Sequence, residues 1–159
     1  MRRSIQRYIL HMCQMIVVST SSDQDLSEWN TPLVQFSRQL PNGEEHTLLH
    51  FEHKWFLGSQ NGCSCGFRHL SHGSQELGFS EPVDWWPEEP EDLEATHQVV
   101  KLFKRLVSSG ARVDCIDAWA QDEPKVLGLL GDSVVNLADL PELAFRFFDG
   151  YRFEFTYET

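Results

Sequence analysis

Near residue 110 the hydrophobic period of this chain changes, and that change leaves few architectures open. Upstream, Leu93, Val99, Val100, Phe103, Leu106 and Val107 recur at helical spacing and form one apolar stripe. Pro90 suits a first helical position. Lys101, Lys104 and Arg105 fall toward the end where the helix dipole favours cations, and Gly110 suits the stop. A helix over about 90–109 follows. Downstream, residues 112–119 read as a strand, with Val113, Cys115 and Asp117 on one face and Asp114 and Ile116 on the other. A helix, a glycine turn and a strand in direct succession imply a sheet with the helix laid against it.

Other segments supply the rest of that sheet. Residues 15–19, Met-Ile-Val-Val-Ser, are apolar without alternation, as in a strand covered on both faces. Residues 132–137 hold a second Val-Val pair. In residues 151–157, Tyr151, Phe153, Phe155 and Tyr157 alternate with Arg152, Glu154 and Thr156, the pattern of a half-buried strand. Asn61-Gly62 predicts a type I′ hairpin between strands over 47–58 and 63–70, with Gly58 and Ser59 loosening the end of the first. Leu33, Phe36 and Leu40 predict a short helix over 32–40, stopped by Pro41-Asn42-Gly43, and Asp139-Leu140-Pro141 opens another over 141–148. The expected fold class is a single α+β domain. Its sheet is mixed or mainly antiparallel, of about 5–6 strands, packed with one long helix and one or two short ones. Residues 1–11 read as a flexible basic leader, with Met12 an alternative start, and 12–159 as the globular domain.

Charge and cysteine usage narrow the partners. Twenty-four acids against 13 bases give a net charge of −11, which argues against nucleic acid and anionic membrane surfaces. No apolar run approaches the ~20 residues of a membrane span. Four scattered cysteines in a chain of 159 residues are not a disulfide framework, so reduced thiols and a cytoplasmic location are expected.

Two stretches carry the candidate chemistry. The first holds Cys63, Cys65 and His69. On a regular strand Cys63 and Cys65 share a face with Phe67, and the plainest reading makes them core thiols. The sharper reading is a zinc-type site at Cys63, Cys65 and His69, completed by Cys13 or Cys115. Against it, the gap inside the cysteine pair is one residue where zinc pairs commonly have two to four. A redox thiol pair beside Arg68 and His69 is a further use of the same stretch. The second stretch, 81–94, contains Glu81, Asp84, Glu88, Glu89, Glu91, Asp92 and Glu94 without a base, and carries Trp85-Trp86 between Pro82 and Pro87. Asp84, Trp85, Trp86, Glu88 and Glu89 form a candidate surface for a basic protein partner, because tryptophan is enriched at binding hot spots. Acids also complement a helix N-terminus, and both tryptophans could equally pack on the sheet.

No phosphate loop, nucleophile elbow or His-Glu-x-x-His motif is present. Three functions from different classes fit: an acidic protein-binding module using 81–94, a thiol or metal protein using the cysteines, and an enzyme built on His and Asp side chains such as Asp114 and Asp117. Binding ranks first, because acidity and aromatics need no special geometry to serve it.

Overall fold

The computed structural model describes residues 13–70, 74–119 and 128–159. Its centre is a six-stranded sheet whose strands are β1 (Gln14–Thr20), β2 (Val34–Ser37), β3 (His53–Ser59), β5 (Val113–Trp119), β6 (Gly131–Asn136) and β8 (Tyr151–Thr156). Two short strands, β4 (His69–Leu70) and β7 (Phe147–Phe148), pair in parallel at its margin. The order is β2-β3-β1-β5-β8-β6, antiparallel except for the β6–β8 pair. The α+β class, the single domain and the sheet size agree with the expectation from sequence. Among the described residues, no helix is long and apolar enough to cross a membrane.

The one α-helix among the described residues, α1 (Pro90–Ser108), covers one face of the sheet. Pro90 occupies its first turn, and Gly110 adopts a φ of +98° just beyond its end, a conformation closed to most side chains. Its buried side, Ala95, Val99, Leu102, Phe103 and Leu106, packs on Ile16, Val18, Trp55, Leu57, Val113, Cys115, Phe153 and Phe155. These strand residues share a face because each is an even number of positions from its neighbours in register. Phe103 meets Phe155 at 4.8 Å between ring centroids, and Phe145 stands edge-on to Phe147, Phe153 and Phe155. The opposite face carries a smaller cluster of Val17, Ile116 and Leu49.

Several local expectations are overturned. Residues 32–40 are not a helix: Val34 and Phe36 are buried while Gln35 is exposed, so the segment alternates as edge strand β2. Thr31 sets this up, its hydroxyl accepting from the N–H groups of Leu33 and Val34. Residues 141–148 are not a helix either. A single turn, Ala144 N–H to Pro141 O, is followed by β7, whose Phe147 N–H bonds Arg68 O because Phe145 and Phe147 are drawn into the aromatic core. The strand expected over 63–70 reduces to β4. At the turn only Gly62 has positive φ, +85°, so it is not type I′. Residues Gly58 and Ser59, expected to loosen the strand end, belong to β3. The leader expected over 1–11 lies outside the described residues.

Candidate functional site

What replaces the missing strand is a compact loop. Ser59 donates from its N–H and its hydroxyl to Cys63 O, both at 2.7 Å, and its hydroxyl accepts from Gly66 N–H at 3.0 Å. A Cβ on Gly66 would lie 2.7 Å from Ser59, so any other residue there would force the loop to shift. Ser64 then anchors the loop to β1 and β3. Its N–H donates to Gln14 O at 2.9 Å, and its hydroxyl accepts from Ile16 N–H at 2.7 Å and donates to Leu57 O.

That stitching brings Cys13, which directly precedes β1, against Cys63 and Cys65. Their three sulfurs lie within 4.8 Å of one another, and among the described residues no other group of three or more metal-binding side chains forms. Cys13 is buried and the other two are half-buried. Gln14 N–H donates to Cys65 Sγ at 3.2 Å. The hydrogen bond from Cys65, supported by backbone donors and opposed by burial, pulls the Cys63 thiol down to about 5. Cys65 moves up in response, through its bond to Cys63 and its burial, while burial raises Cys13. Of the three thiols, Cys63 is the one whose surroundings favour the thiolate. Cys115 stands apart in the core under α1, its thiol raised by complete burial.

His69, the third ligand expected from sequence, does not join the sulfurs. Its Nδ1 meets Asp117 Oδ2 and its Nε2 meets Ser64 O, each at 2.6 Å. Both partners accept, so both ring nitrogens must donate and the ring is an imidazolium. Burial opposes that charge, but the Asp117 carboxylate and the Ser64 carbonyl together outweigh it and raise the pKa. With both nitrogens engaged, neither is open to a metal or a substrate. Asp114 lies on the opposite face of β5, bonded to Arg152, Ser19 and His50 N–H. The two aspartates therefore form no catalytic pair.

The acidic segment divides. Trp85 and Trp86 are both exposed, at 66% and 41%, and Asp84 and Glu89 are exposed beside them. Glu88 turns inward. Its carboxylate, 10% exposed, receives Arg68 Nε at 2.7 Å and Arg146 Nε at 3.0 Å, and both arginines are buried. A cleft of about 260 Å³ nevertheless joins the two stretches, with Phe67, Arg68 and His69 on one wall and Trp86, Glu88, Glu89 and Asp92 on the other. Burial and its acidic neighbours leave the Asp92 carboxyl above the ordinary range despite the nearby His69. A larger cavity of about 540 Å³ lies between the sheet and residues 39–45, with Glu45 as the ionisable residue in its wall.

Sequence reasoning named Cys63 and Cys65 but gave no reason to choose Cys13 over Cys115. It read Arg68 only as help for the thiols, and it missed Arg146. No local signal marks any of these, since each partner lies 20 or more residues away in the chain. No family model, curated protein or solved structure matches the chain.

Proposed function

We propose that this protein binds a thiophilic metal ion at Cys13, Cys63 and Cys65. The observation that carries the reading is the convergence of three sulfurs from two distant parts of the chain. Metal–thiolate bonds of about 2.3 Å in a trigonal plane set sulfurs ~4.0 Å apart. Separations of at most 4.8 Å leave less than an ångström to close, within reach of a loop flanked by Gly62 and Gly66. Thiol ligands bind as thiolates, so a metal would displace the protons that the three sulfurs carry. A reducing cytoplasm is the compartment that keeps such a trio as thiols. The test is native mass spectrometry with elemental analysis and a thiol count after unfolding. A stoichiometric metal lost on chelation supports the reading, and a metal-free chain that takes up no thiophilic ion in titration overturns it.

A second reading rests on the exposure of Trp85 and Trp86 beside the acidic cleft. Glu89 and Asp92 line the mouth of the cleft opposite Arg68 and His69, whose charges are engaged by Glu88 and Asp117, and the exposed Trp86 face suits a lysine or arginine side chain of a basic protein. Binding to basic peptides that weakens steeply with salt and is lost in Trp86→Ala is the expected outcome. Binding indifferent to both would refute it.

A further inference from the structure

We propose that the ion suited to this site is monovalent copper, held in three-coordinate sulfur ligation and exchangeable from the solvent side. The assignment rests on reading the trio as a metal site and adds the identity of its occupant.

The donor count argues for it. Among the described residues the group closes at three sulfurs, with no imidazole nitrogen or carboxylate oxygen within 4.8 Å of all three. A closed zinc site takes four protein ligands, whereas zinc on three leaves an open position for water. Soft thiolate sets select copper(I) as well as zinc, and copper(I) is satisfied by three thiolates alone. His69, the imidazole that follows the pair in sequence, is unavailable as a fourth ligand. To reach a metal, His69 would have to lose a ring proton and leave either Asp117 or Ser64 O, both at 2.6 Å. Cys115 is equally remote, since it packs among Val113, Phe153 and the α1 side chains.

Exposure adds the second half. Cys13 is buried, whereas Cys65 is half-buried. An incoming thiolate can therefore reach the ion from the side of Cys65 and displace one ligand at a time. The backbone supports such movement unevenly: Cys13 adjoins β1, but Cys63 and Cys65 sit on a loop bounded by two glycines.

The experiment uses the reduced full chain under anaerobic conditions. Copper(I) is titrated against a chromophoric copper(I) chelator, zinc(II) against a zinc chromophore, and cobalt(II) serves as a spectroscopic stand-in for zinc. The expected result is one copper(I) per chain, with X-ray absorption showing three sulfur neighbours and no nitrogen or oxygen. Cys63→Ser and Cys65→Ser, checked for folding by circular dichroism, should each weaken copper(I) binding by more than the roughly 100-fold that loss of an outer-shell partner costs. Cys115→Ala should leave it unchanged. X-ray absorption on the wild-type chain keeps the test decisive if a variant fails to fold. Tetrahedral cobalt(II) absorption with zinc(II) bound tightly and copper(I) bound weakly would overturn the copper assignment while leaving a metal site. Binding of neither metal would overturn both.

Discussion

Glu88→Gln is expected to destabilise the fold far more than its place in an acidic surface loop implies. The substitution keeps the shape of the side chain and removes its charge. In the native protein the Glu88 carboxylate is the shared counter-ion of Arg68 and Arg146, at 2.7 Å and 3.0 Å, with both guanidinium groups at 1% side-chain exposure or less. At a charge separation of ~4 Å and an effective dielectric of about 20, each attraction amounts to about 4 kcal/mol before desolvation is set against it. Removing one partner of a buried pair costs about 3–5 kcal/mol, because the other charge stays buried and uncompensated. Here two cations are stranded, but glutamine can still accept one hydrogen bond. Both arginines also keep carbonyl acceptors: Leu143 O, Phe145 O and Ser80 O for Arg68, and Gly78 O for Arg146. The expected loss is therefore about 3 kcal/mol, at the lower end of that range. With a urea slope of about 2 kcal/mol per molar, the unfolding midpoint should fall by about 1.5 M. The control is Glu89→Gln, one residue along and exposed, which should stay within about 0.5 kcal/mol of wild type. Equal midpoints for the two variants would refute the structural role of Glu88 and return it to the surface acids.

Three further outcomes are expected. The raised His69 pKa means that its ion pair with Asp117 contributes stability fully below the unfolded value of about 6.5, and that this contribution is lost as pH rises through the folded pKa. Urea melts from mildly acidic to alkaline pH should show that decline in wild type and a flatter profile in His69→Gln, and identical profiles would sink the imidazolium assignment. With the metal-free protein at pH 6.5, iodoacetamide should modify Cys63 first and Cys115 last, read by peptide mass mapping, because the surroundings of Cys63 favour the thiolate and Cys115 is a fully buried thiol. Gly66→Ala should disturb the cysteine loop, because its Cβ would meet Ser59 at 2.7 Å. A destabilisation of about 1–3 kcal/mol in denaturant melts is expected for such overpacking, together with altered thiol reactivity, and unchanged reactivity would count against the loop geometry.

By itself the sequence determined the elements whose signal is local. The α1 stripe with Pro90 and Gly110, the uninterrupted apolar run of β1, and the alternation of β8 each encode a period that the backbone imposes on consecutive residues, so they are legible without knowing the fold. From those elements the α+β class and the sheet follow. Tertiary structure decided wherever two periods competed or partners were distant. Leu33, Phe36 and Leu40 fit a helix, yet Val34 and Phe36 had a core to enter and β3 to pair with, and burial outweighed that spacing. Phe145 and Phe147 likewise joined the aromatic core as an extended segment. The site was half legible: Cys63-x-Cys65 is visible in the sequence, but the choice of Cys13 over Cys115, the capture of His69 by Asp117 48 residues away, and the inward turn of Glu88 were not. A sulfur triangle and a buried ion pair are set by distances between residues far apart in the chain. Those distances exist only once the sheet register has been fixed by packing.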